Sequence, residues 1–494
     1  MENRNQIFKL RPFGGENDQD EERIHATIFD YTVPMSYNAW AIYFKLDDQT
    51  SRPKVVEVLK TGLERTISQC RQLVGRFETN LDDDGYSFVK RKDDTVDFIV
   101  EYWDDANVPS LDEIQKAHFA SSILGDVGRF CAPGMECGQR PACHPENKPV
   151  LCAFKANFIQ GGLIFVMNHL HYCQDVMGWS SCARQLAGNC AAAMNGTGPP
   201  PWDPAAITDG DRFTPKLQAR RGQEVEEPRS KPCPVSVSTK PASSLLIHLS
   251  KSKAIKLKKV AADSLATCPN PLSAWISTYD AFVALIWRTL TRHRRELYRV
   301  GSDEKPLLRQ AINLRYNDRL NPPVADKFQR NLLWSARTQD LADQFTVAQI
   351  AETEPLGNIA ARIRELTLSI TQPAVEAAVT RMLALRDKSS LARDIKSLPP
   401  LSMVVTDWRR ASLEGCDFGF GCPCAFRHLT PAAAACMVVV FPPRLHGQSG
   451  KDEGPEIALS VENELVNAIS NDSRFTEFFE VRGYEVMHKD LVRE

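Results

Sequence analysis

No stretch of this 494-residue chain approaches the roughly 18 uninterrupted apolar residues that a membrane helix needs. The N-terminus, Met1-Glu2-Asn3-Arg4-Asn5-Gln6-Ile7-Phe8-Lys9, lacks the apolar core of a secretion signal. The C-terminal Leu491-Val492-Arg493-Glu494 carries neither a prenylation nor a peroxisomal pattern. A soluble, cytoplasmic protein without membrane insertion is therefore expected. An excess of either charge is missing as well. The net charge is −2, with no basic block, so nothing in the electrostatics asks for a nucleic-acid or membrane-surface partner. Neither a GxGxxG nor a P-loop pattern is present to seat a nucleotide on a helix terminus, and no repeat of solenoid length appears.

Zinc-type spacing is absent where it would be most expected. Cys131, Cys137, Cys143 and His144 share a Pro/Gly-rich loop, but their separations do not match paired CxxC ligands, so the loop reads as an insertion with incidental thiols. The chain holds 14 cysteines, and disulfide-framework logic belongs to short secreted chains. Cys70, Cys182, Cys190 and Cys436 fall inside apolar patterns, where a reduced thiol packs as a small hydrophobe.

What is present is a long α/β chain. At 494 residues two domains are expected, and mixed strands and helices in both halves favour mixed sheets over a single dinucleotide-binding unit. The periodicity predicts a helix over Pro53–Gly75, with Gly75 as its terminator. Strands are predicted at Tyr86–Lys90 and Val96–Tyr102. Val150–Phe158 and Leu163–His169, joined through Gly161-Gly162, predict an antiparallel hairpin, followed by a helix over Ser180–Met194 capped by Ser180. Composition then shifts to Pro, charge and small polar residues. This gives a domain over 1–196, a linker over 197–242 and a second domain over 243–494. In the second half the expectations are a strand at Leu245–Leu249 and a helix from Tyr279 to Arg294 capped by Thr278. Strands are expected at Met403–Asp407, Met437–Phe441 and Ile457–Val461, and one closing helix over Glu462–Phe479.

Two short motifs carry candidate chemistry. His171-Tyr172-Cys173-Gln174-Asp175 places an imidazole just beyond the hairpin, where its near-neutral titration suits proton abstraction from an alcohol or amine. Asp175 could orient that imidazole, as in hydrolase triads. A chain turning from strand into helix can equally aim Asp175 away from the cleft, where it would need a cationic partner; this structural role is the favoured one. Asp417-Phe418-Gly419-Phe420-Gly421 is a glycine-rich turn that follows Thr406-Asp407-Trp408. The lysines of Lys251–Lys259 read as a solvated face. His169, one alternation before His171, receives no role.

With these residues in view, the chain resembles the BAHD acyltransferases, and more closely their fungal branch that includes trichothecene acetyltransferases. The resemblance runs through RQLVGRF, GGLIFVMNHLHYCQD, ISTYDAFVALIWR, NLRYNDRLNPP, TDW and DFGFG, in the family's order. It implies a two-domain CoA-dependent acyltransferase fold of the chloramphenicol acetyltransferase type, with an interdomain tunnel. His171 becomes the general base, and Asp175 becomes structural, paired with Arg315. Asp417, Gly419 and Gly421 form a structural turn remote from the reacting centre. Thr406 and Trp408 position acceptor or oxyanion, with ordinary core packing the open alternative for Trp408. The implied reaction is O-acetyl transfer from acetyl-CoA, or another acyl-CoA, to a hydroxyl of a terpenoid, alkaloid or polyketide. The enzyme would be a monomer without a metal or a permanently bound cofactor. Two departures stand out: Val176 follows Asp175 where the family has Gly, with glycine delayed to Gly178, and Leu170 precedes His171 where a second histidine is common. A repurposed scaffold catalysing cyclisation, isomerisation or condensation, and a non-catalytic binding protein, remain open alternatives.

Overall fold

A computed structural model describes residues 5–488, except 48, 81–84, 104–106, 140, 211–239, 269–271, 317, 386–387, 389–390, 392–397, 399 and 445–449. Most of the expected linker therefore lies outside the described residues. Among them, no helix is long and apolar enough to cross a membrane.

Among the described residues, two seven-stranded mixed sheets and one three-stranded sheet organise the fold. The first large sheet runs Asn5–Leu10, Val96–Tyr102, Cys152–Ile159, Gly162–Leu170, Ser36–Lys45 and Pro423–His428, with the short Gly138–Gln139 also on Ser36–Lys45. The second runs Leu333–Arg337, Leu308–Asn313, Met403–Asp407, Met437–Val440, Glu456–Glu462, Ala242–His248 and Glu480–Val486. Pro423–His428 thus belongs to the late half of the sequence but pairs with an early strand. It ties the two halves through backbone hydrogen bonds.

The expected hairpin forms as Cys152–Ile159 against Gly162–Leu170, and every residue of both strands is buried. Such doubly covered strands read as continuous apolar runs. One face meets the helices Arg52–Gln69 and Val176–Asn195. These two cross closely because Gly62 has no Cβ; one there would run into Cys190.

Several boundaries depart from the periodicity. The first helix ends at Gln69, and Gly75 (φ 95°) follows a separate 3-10 turn; its missing Cβ makes room for the Val89 carbonyl. Tyr86–Arg91 and Val96–Tyr102 are adjacent in sequence but join different sheets, because local pattern signals a strand and not its partner. The helix expected from Tyr279 spans Thr278–Tyr298, and its cap is Ser277, not Thr278, in a reciprocal capping box with Asp280. The closing helix expected over Glu462–Phe479 is instead a 3-10 turn and two short helices, interrupted where Asp472 caps a new start. A final strand, Glu480–Val486, follows.

Candidate active site

His171 lies one residue past the strand Gly162–Leu170, at the turn into Val176–Asn195. Strand register defines its surroundings. Asn38 stands opposite His169, and Trp40 stands opposite both Met167 and His428. Directly opposed residues project to one side, so Asn38, Trp40, His169 and His428 share a sheet face. That face carries Trp179, stacked on Trp40 at 4.6 Å between ring centroids, and Trp408, edge-on to Trp40 at 4.9 Å. Two imidazoles and three indoles thus converge from both halves of the chain, and His171 acts electrostatically on both of those imidazoles.

The helix after His171 begins at Val176, and its cap is Asp175, whose Oδ1 accepts the Gly178 N–H at 2.8 Å. Ser180, the expected cap, is a buried helical residue whose hydroxyl donates to the Met177 carbonyl. Asp175 accepts three more hydrogen bonds. Arg315 donates through Nη1 to Oδ2 at 2.9 Å and through Nη2 to Oδ1 at 3.0 Å, and the Leu332 N–H donates to Oδ2 at 2.8 Å. Both carboxylate oxygens are therefore committed away from the imidazole. Arg315 is committed too, donating to the carbonyls of Phe328 and Arg330.

His171 itself is held by its backbone. Its N–H donates to the Ser36 carbonyl at 2.8 Å, and its carbonyl accepts from Gln174 N–H at 3.3 Å and Asn331 Nδ2 at 3.0 Å. The ring Nδ1 is buried and has no hydrogen-bond partner among the described residues, while the residue as a whole keeps partial exposure. Burial holds its pKa below the ordinary histidine value; interaction with its own backbone, the charge of Asp175, the Gln174 backbone and the charge of Asp30 pull back in part. The neighbouring His169 and His428 are pushed by burial down to about 3. Of the three, His171 is the one that stands beyond its strand, at the turn into the following helix.

Thr406 and Trp408 sit together at the end of Met403–Asp407, where the indole N–H donates to the Thr406 hydroxyl at 2.8 Å. Trp408 is 8% exposed, and its ring meets both His428 and Phe441 edge-on. The glycine-rich turn lies elsewhere. Asp417 accepts the Gly419 N–H at 2.7 Å, and Gly419 (φ 83°) is pressed against Ala191 and Met194. That is about 24 Å along the helix from Asp175 at 1.5 Å per residue. Gly421 (φ 145°) closes the turn through its carbonyl to the Phe418 N–H, and Phe418 and Phe420 both pack on Phe44.

The segment Lys327–Leu332 has no counterpart in the sequence reading. It runs as a strap across the first half of the chain, with no regular hydrophobic period to mark it. Lys327 O accepts from Ser181, and Gln329 accepts the Cys70 thiol. Arg330 donates to Asp30 and to the His25 carbonyl. The delayed glycine acquires a reason here: a Cβ on Gly178 would collide with the Gln329 carbonyl. In sequence, the one hint is Arg330-Asn331, a polar pair directly before the apolar Leu332-Leu333-Trp334.

Among the described residues no group of three or more His, Cys, Asp or Glu side chains could hold a metal ion. Cys131 and Cys143 are buried, and Cys137 lies 3.7 Å from His428 Nε2.

Comparison with known proteins adds a family-level match. A model of the transferase family covers residues 16–476. The acetyltransferase FGR3 of Gibberella zeae is 39% identical over 484 residues, spanning 97% of this chain and 94% of that protein. The trichothecene 3-O-acetyltransferase TRI101 of Fusarium sporotrichioides is 28% identical over 395 residues, spanning 78% of this chain and 81% of that protein. Among solved structures, F. sporotrichioides TRI101 complexed with coenzyme A and T-2 superposes with a TM-score of 0.73 at 23% identity, over 93% of this chain and all of that one. Vinorine synthase does so at 0.60 and 18% identity, over 93% and 94%.

Proposed function

The chain belongs to the transferase family, the BAHD acyltransferases, and from that premise we propose that it is an acyl-CoA-dependent O-acyltransferase. In this reading it moves an acetyl group from acetyl-CoA to a hydroxyl of a secondary metabolite, with a terpenoid, alkaloid or polyketide alcohol as acceptor. The observation that carries the reading is the division of labour at His171 and Asp175. The imidazole keeps a ring nitrogen unengaged, while the carboxylate that could have held it is consumed by Arg315 and Leu332.

The chemistry follows from those roles. The acceptor hydroxyl gives its proton to His171 as its oxygen attacks the thioester carbonyl. The carbon–oxygen bond forms and a tetrahedral oxyanion develops, which needs donors at about 2.7–3.1 Å. Thr406 and Trp408, whose mutual hydrogen bond can be exchanged for one to substrate, are the residues assigned to it. Collapse breaks the carbon–sulfur bond, and the CoA thiolate recovers the proton from the imidazolium. The thioester supplies the driving force, so no metal takes part in this scheme. Residues 1–196 and 243–494 act as two domains, the second lending the strand Pro423–His428 to the sheet of the first. A tunnel between them admits acyl-CoA on one side and acceptor on the other. Asp417, Gly419 and Gly421 brace the fold from a distance. The protein is taken to work as a cytoplasmic monomer.

The test is thiol release on mixing the full chain with acetyl-CoA and a panel of secondary-metabolite alcohols. Acceptor-dependent release with an acetylated product by mass spectrometry is the expected result. Product isomerisation or cyclisation without thiol release would replace the reading by a repurposed scaffold. Binding without either would replace it by a carrier.

Acid dependence is a second expectation. The base acts when neutral, and its pKa is depressed below 6.5 by burial, so the neutral form persists to lower pH than for a free imidazole. The acid limb of kcat/KM should accordingly fall below pH 6.5, and as a single step, because His169 and His428 titrate only near 3. A rate profile between about pH 4.5 and 8 reads this directly. A limb centred at or above 6.5 would remove burial as the tuning force on the base.

A further inference from the structure

The imidazole of His171 is not oriented by the aspartate of its own motif, and the causes that act on the ring include its own backbone and that of Gln174, so its geometry depends on how the turn itself is held. Its ring makes no side-chain hydrogen bond through Nδ1, and its backbone N–H is taken by the Ser36 carbonyl. The one side chain hydrogen-bonded to its backbone, among the described residues, is Asn331 on the strap from the other half of the chain. Asn331 Nδ2 donates to the carbonyls of Tyr172 at 2.8 Å and His171 at 3.0 Å, and meets Asp30 Oδ1 at 3.0 Å.

Three acceptors surround one amide NH2, which fixes the orientation of the group. A flipped amide would set its oxygen against three oxygens. The other end shows what this residue is not for. Asn331 Oδ1 is buried and has no hydrogen-bond partner among the described residues, an arrangement that costs stability. An asparagine kept for its own packing would be better replaced by a leucine. Asp30, fully buried, is itself fixed by Arg330 and by the backbone and hydroxyl of Thr27.

We infer that Asn331 is a positioning residue that sets the base: it clamps the His171–Tyr172 turn through its carbonyls and makes imidazole geometry depend on docking of the strap. This rests on the reading of His171 as general base. The chemistry of proton transfer tolerates little error in placement, and a shift of about 1 Å at a reacting group costs on the order of 10²-fold in rate. The site on the first half is then incomplete until Lys327–Leu332 is seated.

The experiment compares Asn331→Ala, Asn331→Ser and His171→Ala in the full chain, with acetyl-CoA as donor and an alcohol that the wild type acetylates. Asn331→Ala should lose about 10²-fold in kcat and Asn331→Ser, which keeps one donor, about tenfold, with KM for acetyl-CoA changed by less than about twofold. The acid limb should rise toward that of free imidazole in both, because the loosened ring gains contact with water; a residue that only stabilises the fold would lower the melting temperature and leave limb and kcat in place. Should the alanine variant fail to fold, the serine variant decides. Wild-type kcat in a folded Asn331 variant, with His171→Ala inactive, overturns the positioning role and leaves the base standing. Full activity of His171→Ala would remove the base, and this inference with it.

Discussion

Replacing His171 by alanine is expected to lower kcat by about 10²–10⁴-fold, the range over which a positioned general base acts. Affinity for acyl-CoA should stay near that of the wild type, because the ring acts on the acceptor hydroxyl and makes no structural side-chain bond through Nδ1. The melting temperature should be close to the wild type for the same reason, since the variant discards a buried ring nitrogen that has no hydrogen-bond partner among the described residues. Steady-state kinetics with acetyl-CoA and a competent alcohol, beside a thermal melt of the same preparation, measure all three quantities. Full turnover in His171→Ala would eliminate the base assignment. A loss of activity that tracked a loss of folded protein would demote the residue to a packing role.

The parts of this site that were legible in sequence are those built from local pattern. A doubly buried hairpin announces itself as two apolar runs around Gly161-Gly162, so the location of His171 beyond its second strand could be read without coordinates. The resemblance to BAHD enzymes supplied Arg315 as the partner of Asp175, which spacing alone could not do. The unread parts depend on tertiary contact. The strap Lys327–Leu332 binds largely through backbone carbonyls and amides, which leave no trace in side-chain periodicity. Asp30, Asn331 and His428 meet the site across long sequence separations, which strand register reveals for His428 and side-chain hydrogen bonds for the other two. The expected closing helix breaks for a different reason: Asp472 interrupts an otherwise helical spacing by capping a new start. Glu480–Val486, at the edge of its sheet with three charged residues and a glycine in seven, lacks the apolar alternation of a strand. Gly178 shows how a departure from a motif can be reinterpreted. The glycine three positions after Asp175 serves the approach of the strap, and Val176, partly buried, packs on the core of the first sheet.

Asp175→Ala and Arg315→Ala should each destabilise the fold by about 3–5 kcal/mol, because breaking a buried pair strands the other charge. The side chain of Arg315 is fully buried and that of Asp175 is 5% exposed, so water cannot replace the lost partner. The aspartate variant additionally loses the cap of Val176–Asn195, worth about 0.5–2 kcal/mol, and the Leu332 N–H loses its acceptor. The order of effects is thus the reverse of that for the base: His171→Ala stops turnover in a folded protein, while Asp175→Ala reduces the yield of folded protein. The double variant Asp175→Ala/Arg315→Ala sharpens the argument. With both charges gone no uncompensated ion remains, so its stability should be no worse than that of either single variant, a strongly non-additive outcome. Denaturant or thermal melts of the three variants beside His171→Ala supply the comparison. Equal melting temperatures for Asp175→Ala and His171→Ala, or additive losses in the double variant, would mean that the carboxylate is not the anchor between the base turn and the strap. Its place would then be in the chemistry, as an orienter of the imidazole, despite four hydrogen bonds that lead elsewhere.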